Sequence, residues 1–388
     1  MRKKLKDVCM FYSGTGFPIQ YQGQTKGEYP FYKVGDIANN AIAGKIYLEL
    51  CNNYISSDVA KMIKGCILPK DTVVFAKIGE ALKLNRRAIT SCDCLIDNNA
   101  MGIAPKIDFL RIQYFYFCMK NLKMQTLAES TTVPSVRKTV LEKYEIEVPS
   151  LVEQEEIEKK LTLTQKIIEK RRQELSYLDE IIKARFVEMF GDININDKNW
   201  SCEPLGDLCT IVRGGSPRPI EQFLGGDVPW IKIGDATDGD NIYLSSTKEH
   251  IIQEGVNKSR LVKSGSLIFA NCGVSLGFAR IITFDGCIHD GWLAMEDIDE
   301  RLDKVFLLQA LNQMTEHFRA IAPAGTQPNL NTTIMKAYKQ VIPPIELQRN
   351  FIRFADQVDK SKFDTMTFAP IYAIINLYLY TYFYQGRR

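Results

Sequence analysis

The sequence predicts a mixed α/β protein in which two similar domains are joined by long helices. One observation is an internal repeat, because "YPFYKVGDIANN" begins at Tyr29 and a near copy, "VPWIKIGDATDG", begins at Val228. The other is a segment of about 40 residues between the copies that contains neither Pro nor Gly and carries apolar residues at seven-residue intervals. Together they favour a duplicated α/β module with helical connections.

The repeat extends well beyond this first pair of blocks. Three further pairs follow in the same order: "LKDVC" (5–9) with "LGDLC" (205–209), "ILPKDTVVFAKIG" (67–79) with "LVKSGSLIFANCG" (261–273), and "VPSVRKTVLEKYEIEVPSLVEQEEI" (133–157) with "QPNLNTTIMKAYKQVIPPIELQRNF" (327–351). Their offsets are 200, 194 and 194 residues. Nearly constant spacing over four blocks indicates two copies of a module of about 150 residues each.

Each module mixes strands with short helices. "TVVFAKIG" and "SLIFANCG" are β-branched and aromatic runs that end at Gly, which is typical of buried strands. "KTVLEKYEIEVP" predicts a short helix followed by a strand that Pro149 ends, and "TTIMKAYKQVIPP" predicts the same up to Pro343 and Pro344. The Gly-Asp pairs at 35–36 and 234–235 predict a turn in each copy.

The segment after the first module predicts one long helix. Ser150 and Glu153 fit a capping box at its start, and the next breaker is Gly191. A single row at seven-residue spacing contains Leu161, Ile168, Leu175, Ile182 and Met189, and the neighbouring row includes Leu178. This pattern favours a spacer of about 60 Å that contacts another helix. The alternative is an amphipathic helix that packs on its own domain.

A second spacer helix is predicted after Pro344, up to about Lys362. Beyond it, "FAPIYAIINLYLYTYFY" (368–384) has 17 uncharged residues and no heptad pattern. The sequence thus divides into a first head (1–150), a first spacer (151–199), a second head (200–343) and a second spacer (344–388) whose apolar tail begins at about 365. A tail this short and rich in tyrosine favours a truncation or frame shift over a membrane anchor.

Composition and charge restrict the possible functions. The net charge of +3 is uneven: residues 1–150 hold 21 basic and 14 acidic residues, or +7, whereas 151–199 and 200–388 each carry −2. A basic first head favours a polyanionic partner over a small-molecule substrate. Ten dispersed cysteines without C-x-x-C, three scattered histidines and no signal-peptide pattern predict a cytoplasmic protein with reduced thiols and no metal site.

Two α/β heads held apart by a rigid helix suit a protein that reads two DNA half-sites at a fixed separation. The sequence resembles specificity subunits of type I restriction–modification systems over about residues 5–362. The resemblance rests on the paired "FYKVGDI" and "WIKIGDA" blocks, on "GTQPNLN" (325–331), and on "EVPSLVEQEEI" and "VIPPIELQRNF", which lead into the spacers.

The resemblance implies two target-recognition domains, related by a pseudo-twofold repeat and joined by an antiparallel coiled coil of spacer helices. It implies that the chain binds an asymmetric, bipartite site on double-stranded DNA and is not itself catalytic. It also implies two copies of an adenine-N6 methyltransferase (modification) subunit and nuclease/translocase (restriction) subunits as partners. S-adenosylmethionine, ATP and Mg would be used by the assembled complex, with no cofactor bound by this chain.

The sequence departs from the family pattern at two places. The first module has "AESTTVPSV" where the second has "PAGTQPNLN", so this loop is expected to differ between the heads. The early end of the second spacer puts assembly with partner subunits in doubt.

Missing motifs agree with a non-catalytic role. The sequence contains no G-x-x-x-x-G-K-[ST] loop and no N/D-P-P-F/Y motif, and "SGTGF" (13–17) lacks the third Gly of a dinucleotide fingerprint. An enzyme with its own nuclease or methyltransferase site is therefore disfavoured. A structural scaffold with two heads remains the main alternative, although it gives no reason for a head of charge +7.

Candidate DNA contacts follow from the chemistry of phosphate and base recognition, in which Lys and Arg bind phosphates while Arg, Asn and Gln read base edges. They are Lys33, Lys77, Lys83, Arg86 and Arg87 in the first head, and Arg213, Arg218, Lys232, Asn271, Arg280 and Gln327 in the second. A solvated charged loop explains the 77–87 cluster equally well. For Asn331, which precedes "TTIMKAY", a helix N-cap is favoured over a DNA contact.

Overall fold

The structure is a computed structural model that describes residues 1–49, 51–129, 133–237, 241–273, 275–323 and 328–366, the side chains of 363–366 excepted. Contacts divide the described chain into two units, residues 1–173 and 174–366. The boundary lies inside a helix, so each unit contains one head and part of the helical segments. The four-part division made from the sequence stays a prediction.

The first unit alternates short strands and helices. Its strands are β1 (Arg2–Lys4), β2 (Cys9–Ser13), β3 (Tyr29–Tyr32), β4 (Tyr54–Ile55), β5 (Val73–Ala76), β6 (Arg87–Ile89), β7 (Leu95–Ile96), β8 (Ala100–Pro105) and β9 (Glu145–Glu147). Its helices are α1 (Leu5–Val8), α2 (Val34–Ile42), α3 (Ser57–Met62), α4 (Glu80–Lys83), α5 (Ile112–Asn121), α6 (Lys138–Lys143) and the start of α7 (Leu151–Phe190).

The second unit has a similar order of elements, with β13 and β15 as additional strands. Its strands are β10 (Ser201–Pro204), β11 (Thr210–Arg213), β12 (Leu224–Ile231), β13 (Tyr243–Leu244), β14 (Glu249–Ile251), β15 (Arg260–Val262), β16 (Leu267–Ala270), β17 (Ala279–Ile282), β18 (Gly286–Ile288), β19 (Trp292–Glu296) and β20 (Lys339–Ile342). Its further helices are α8 (Leu205–Leu208), α9 (Gln253–Val256), α10 (Lys304–Gln313), α11 (Thr315–Ile321), α12 (Thr332–Ala337) and α13 (Ile345–Met366).

The sheets of the two units have the same topology. The order β2-β8-β5-β6 in the first unit matches β11-β19-β16-β17 in the second, where β13 adds a fifth strand. The order β4-β3-β7 matches β14-β12-β18, where β15 adds a fourth strand, and in both units the pair β3-β7 or β12-β18 is parallel. The pair β1-β9 likewise matches β10-β20. The fold is thus two mixed α/β domains of one design, as the sequence repeat predicts.

Each unit has its own hydrophobic core between its main sheet and its helices. In the first unit, Phe75 of β5 and Phe115 of α5 share one buried cluster with Leu161 of α7. In the second, Phe269 of β16 and Phe306 of α10 share a cluster that also includes residues of α7 and α13. The predicted strands at 73–76 and 267–270 are confirmed, and all their side chains are buried.

The long helix α7 starts where the sequence predicts. The amide of Ser150 donates to Oε2 of Glu153 (2.9 Å), and the amide of Glu153 donates to Oγ of Ser150 (3.3 Å). This reciprocal cap satisfies amides that have no partner inside the helix. The helix then runs for 40 residues without a break, which confirms the predicted length.

The second part of α7 pairs with α13 inside the second unit. The rings of Phe186 and Phe351 meet edge to face at 5.3 Å, and Nζ of Lys362 lies 2.7 Å from Oδ1 of Asp179. Early residues of one helix face late residues of the other, so the two helices are antiparallel. α13 begins at Ile345, directly after Pro344.

The seven-residue row on α7 does not form one continuous exposed seam. Leu161 is 3% exposed in the core of the first unit, and Ile182 is 5% exposed in the core of the second. Ile168, Leu175 and Leu178 are half-buried. The ends of the row therefore pack on their own heads, as the alternative interpretation of the pattern proposes, because each head needs an apolar helix face to complete its core.

The repeated Gly-Asp pairs start a helix and do not form an isolated turn. Oδ2 of Asp36 accepts from the amide of Lys33 at 2.8 Å, where α2 begins. Oδ2 of Asp235 accepts from the amide of Lys232 at the same distance, where a 3-10 helix (Ile233–Asp235) begins. The carboxylate pairs with an amide near the helix start, and this local role explains why the block occurs twice.

Three further features concern the class of protein. None of the described helices is long and apolar enough to cross a membrane. All ten cysteines are described, and none of them forms a disulfide. Within the described ranges, no three His, Cys, Asp or Glu side chains converge as metal ligands would.

Candidate nucleic-acid interface

A close backbone contact shapes one end of the second head. The chain leaves β11 through Gly214 and passes over the end of β18, where a Cβ on Gly214 would lie 2.2 Å from the carbonyl oxygen of His289. Only glycine permits this approach. The amide of Gly214 donates to the carbonyl of Trp292 (2.9 Å), and the amide of Gly215 donates to that of Ile288 (3.0 Å), so the loop is fixed by its backbone.

The first head has the same contact at the matching place. A Cβ on Gly14 would lie 1.7 Å from the carbonyl oxygen of Asp97. The amide of Asp97 donates to Tyr32, just as the amide of His289 donates to Ile231, at 3.0 Å in both heads. Asp97 and His289 are therefore structurally equivalent. In both heads a glycine-containing loop (13–16 and 213–216) lies against the residues at and after a strand end (96–99 and 288–291), and this arrangement is called the framework below. The two heads share the framework but carry different side chains on it.

In the second head, Arg213, Arg218 and His289 all contact Asp290. Nη2 of Arg218 lies 3.6 Å from Oδ2 of Asp290, and Nε of Arg213 donates to the Asp290 carbonyl at 3.0 Å. Oγ of Ser216 donates to Oδ1 at 2.7 Å, and Nε2 of His289 lies 3.0 Å from the same oxygen. Arg218 is 81% exposed in its side chain, so its guanidinium remains available to a partner.

Protonation in this cluster follows from its surroundings. Burial lowers the pKa of His289, and the charges of Lys232, Arg218 and Arg213 lower it further, against the opposing effect of Asp290. Nδ1 of His289 accepts from the amide of Gly291 at 2.8 Å. The neutral ring therefore carries its proton on Nε2 and donates it to Asp290.

Asp290 itself stays ionised. Burial opposes its ionisation, but the Ser216 hydroxyl, the neighbouring His289 and the charges of Arg213 and Arg218 together lower its pKa. At neutral pH the surface thus combines two arginines with one carboxylate.

The repeated lysines occupy matching positions but have different partners. Nζ of Lys33 lies 5.6 Å from the ring centre of Phe17 and donates to Gln22. Nζ of Lys232 lies 5.7 Å from the ring centre of Trp230 and pairs with Glu249. Both lysines are half-buried over an aromatic ring, which is a cation–π arrangement. Their use in DNA contact stays a prediction.

The basic cluster at 77–87 in the first head does not form one surface. Lys77 follows β5, and its amide donates to the carbonyl of Asn99 at 2.8 Å, beside the framework that contains Asp97. Lys83 is exposed and pairs with Glu80. Arg86 is half-buried and lines a separate cavity. DNA contact by these three residues stays a prediction.

For Arg87, Asn271 and Arg280, the expectation of DNA contact is corrected, because their exposures are only 3%, 0% and 8%. The guanidinium of Arg87 donates to the carbonyls of Asn85 (2.9 Å) and Leu122 (2.6 Å). Nδ2 of Asn271 donates to Oδ1 of Asn329 and to the carbonyl of Leu330, both at 3.2 Å. Nη1 of Arg280 donates to the carbonyl of Ala279 at 2.8 Å. Burial and these internal bonds give all three residues a structural role.

Two predictions concern the segment before α12. Gln327 lies outside the described residues. Asn331 caps α12, since its Oδ1 accepts from the amide of Ile334 at 2.9 Å, and the predicted N-cap is confirmed.

Sequence reasoning missed four side chains of this surface: Asp97 in the first head, and Ser216, His289 and Asp290 in the second. Part of the signal was available. "SGTG" (13–16) and "RGGS" (213–216) share the offset of 200 that relates "LKDVC" to "LGDLC". The repeat therefore extends into this loop, where the second head has Arg213 at the position of Ser13 in the first head.

The chain matches the family model of the type I restriction modification DNA specificity domain twice, over residues 1–177 and 197–371. Curated relatives agree. The chain is similar to the type I restriction enzyme MjaIX specificity subunit of Methanocaldococcus jannaschii, with 24% identity over 72% of this chain and 67% of the relative. It is also similar to the MjaVIII specificity subunit of the same organism, with 21% identity over 92% and 85%.

Solved structures show a related fold. The type I restriction–modification S subunit of M. genitalium matches over 98% of this chain and 94% of that chain, with a TM-score of 0.51 and 14% identity. A chain from a study of complex assembly and conformational transition of the type I R-M system matches over 98% and 96%, with a TM-score of 0.52 and 15% identity. Both family matches fall on the duplicated heads. The chain therefore belongs to the family of type I restriction modification DNA specificity domains, as a specificity subunit that recognises DNA and is not itself catalytic.

Proposed function

We propose that each head reads one half of an asymmetric, bipartite DNA site. One observation carries this proposal: equivalent positions on the shared framework have different side chains. Asp97 and His289 are equivalent because their amides donate to the equivalent residues Tyr32 and Ile231. Ser13 likewise corresponds to Arg213. Identical backbones with different polar side chains suit two different half-sites.

The chemistry of the second head supports base and phosphate contact. Arg213 and Arg218 present guanidinium groups, which bind phosphates and the O6/N7 edge of guanine. Asp290 holds both arginines in place and reduces the net positive charge between them. A carboxylate beside arginines weakens purely electrostatic binding and so favours contacts that match particular bases.

The partners proposed for this subunit are two modification subunits and the restriction subunits of a type I complex. Family membership supports this assembly, and the antiparallel pair of α7 and α13 offers a helical surface for it. S-adenosylmethionine, ATP and Mg are proposed to bind the partner chains, where methyl transfer, translocation and cleavage would occur. This chain would supply the position of those chains on DNA.

The experiment is adenine-methylation mapping on a random DNA library. The full chain is co-expressed with a cognate modification subunit, and methylated sites are read by sequencing. We expect one split, asymmetric motif with a fixed gap. Arg213→Gln and Arg218→Gln should alter the half read by the second head and leave the other half unchanged. Lys339→Gln, an exposed change on β20, is the matched control.

Two outcomes would contradict the proposal. One is a motif that changes in both halves when only the second head is altered, since the heads would then not read independently. The other is a chain that neither joins the modification subunit nor binds DNA, which would favour a structural scaffold.

A further inference from the structure

A cavity of about 470 Å³ lies in the first unit, away from the framework that contains Gly14 and Asp97. It is lined by the end of α2, the residues before β6, the end of α5 and the first part of α7. Among the described residues, Glu169 is the one carboxylate in its wall. Six basic side chains contribute to the wall: Lys45, Arg86, Arg87, Lys120, Lys123 and Arg172. The wall thus has a large excess of positive charge.

Hydrogen bonds hold the guanidinium of Arg87 in a fixed position in the wall of the cavity. Its two terminal nitrogens donate to Asn85 and Leu122 at 2.6 to 2.9 Å, which fixes the plane of the guanidinium. Its Nε is buried and has no hydrogen-bond partner in the described protein. A buried donor without an acceptor is costly, and it is worse when the group is charged. This Nε has almost no accessible surface, so what Arg87 contributes to the wall is its positive charge.

The carboxylate of Glu169 does not balance this charge. Its Oε1 already accepts from Nε2 of Gln165 at 3.1 Å. Partial withdrawal from solvent lowers the pKa of Lys120, and the charges of Arg172 and Arg87 lower it further, while Glu169 opposes this effect. The like charges therefore repel each other across the cavity. An anion bound among them would remove that repulsion.

The matching cavity of the second unit has a smaller excess of positive charge, because its wall holds Lys183, Arg280 and Lys362 together with Asp179 and Asp359. Strand pairing makes Ala279 the counterpart of Arg87, because Arg87 pairs with Phe75 and Ala279 with Phe269. There Nζ of Lys362 lies between Oδ1 of Asp179 (2.7 Å) and Oδ1 of Asp359 (2.6 Å). In the second unit, carboxylates of the chain itself pair with Lys362. The cavity of the first unit has the same architecture but a larger excess of positive charge.

The apolar tail does not provide the missing negative charge. Residues 367–388 contain no Asp and no Glu. The compensating group must therefore come from outside this part of the sequence.

We propose that the cavity of the first unit is an anion site for a ligand with several phosphate groups. Guanidinium groups bind phosphate oxygens through paired N–H donors, and lysines add point charges. Lys45 pairs with Glu49, and the five other basic groups around about 470 Å³ exceed what Glu169 alone would neutralise. The phosphates could belong to the DNA backbone or to a free polyphosphate such as a nucleoside triphosphate. Both sources share the chemistry that the cavity recognises.

The test is calorimetric titration of the full chain with inorganic tripolyphosphate at constant ionic strength. Arg86→Gln combined with Arg172→Gln should weaken binding about tenfold or more, since two charged hydrogen-bond donors are lost. Lys61→Gln combined with Lys143→Gln removes the same charge from exposed sites outside the cavity, and it should leave the affinity within about twofold. Equal binding by the wild type and both double variants would overturn the proposal, as would no binding by the wild type.

A second arm identifies the source of the phosphates. If duplex DNA competes with tripolyphosphate, and the Arg86/Arg172 variant loses DNA affinity equally for all sequences, the ligand is the DNA backbone. If DNA and tripolyphosphate bind together, the site takes a free polyphosphate. Circular dichroism checks that the variant folds, and Lys123→Gln, an exposed change on the wall, repeats the test if it does not.

This inference does not depend on sequence-specific recognition by the heads. Tripolyphosphate binding is measured on the isolated chain, without a modification subunit. A chain that methylates a split motif with its partner but binds no tripolyphosphate would keep the proposed function and reject the anion site.

Discussion

Gly214 touches the backbone of His289, and a single methyl group would break this contact. The carbonyl oxygens of His289 and Ile288 would lie 2.2 and 2.7 Å from a Cβ on Gly214. Both atoms belong to the backbone and cannot turn away. The loop with Arg213 and Ser216 therefore depends on glycine for its position.

We expect Gly214→Ala to lower the free energy of unfolding of the second unit by about 3 kcal/mol, the usual scale of overpacking. All three tryptophans, Trp200, Trp230 and Trp292, belong to this unit, so intrinsic fluorescence in urea reports its unfolding. Gly234→Ala is the control, because a Cβ there meets no atom within 4 Å. Equal stability of the two variants would show that the loop can move away from β18 at little cost.

The aromatic contact between α7 and α13 is expected to be a major source of stability in the second unit. Phe351 is fully buried and contacts Phe186 at 5.3 Å and Phe190 at 5.6 Å. Phe351→Ala should cost about 4 kcal/mol, since it removes a ring and leaves a cavity. Arg353→Ala, an exposed change two residues on, should cost less than about 0.5 kcal/mol. Similar losses in the two variants, measured by tryptophan fluorescence, would argue against this packing.

The acid sensitivity of the second unit should depend on Asp299. Hydrogen bonds from the side chain and then the amide of Arg301, both 2.9 Å, lower the pKa of Asp299 to about 2. The unfolded value is near 3.9, so the ionised group stabilises the fold above about pH 4. This contribution is lost as the pH falls from about 4 towards 2.

The measurement is an NMR titration of the Asp299 carboxyl together with unfolding between pH 2 and 5. Arg301→Gln should return the pKa towards its ordinary value and flatten the acid dependence of stability. Arg319→Gln, which removes an exposed pair with Glu316, should change neither quantity. An unchanged Asp299 titration in the Arg301 variant would rule out the side-chain hydrogen bonds of Arg301 as the cause.

Asp290 is expected to limit non-specific DNA binding by the second head. Asp290→Asn keeps an acceptor for Ser216 but removes the charge beside Arg213 and Arg218. Affinity for random duplex DNA should rise, and the slope of log K against log salt should become steeper by about one. Glu254→Gln, which removes an exposed charge on α9, should produce a smaller change. Weaker binding by the Asp290 variant would mean that the carboxylate instead holds the arginines in their binding geometry.

The sequence by itself determined the duplication and some of the regular elements, among them the strands β5 and β16 and the helices α7 and α13. Matching blocks at offsets of 194 to 200 residues predicted two heads of one design, and the sheet orders agree. The caps at Ser150 and Asn331 were also readable, because a cap joins residues only three positions apart. Such signals are local, so no partner from a distant part of the chain is needed to interpret them.

Tertiary structure alone decided which polar residues face solvent. Arg87, Asn271 and Arg280 look like binding residues in the sequence, but β6 and β17 turn Arg87 and Arg280 inward, and Asn271 is buried directly after β16. The neighbours of a strand set that direction, and these neighbours come from distant parts of the chain. Likewise, Arg213 and Asp290 are 77 positions apart in the sequence. They form a hydrogen bond because the end of β18 lies beside the end of β11. The positive excess around Arg87 follows from the same packing, since only folding places α5 and α7 beside it.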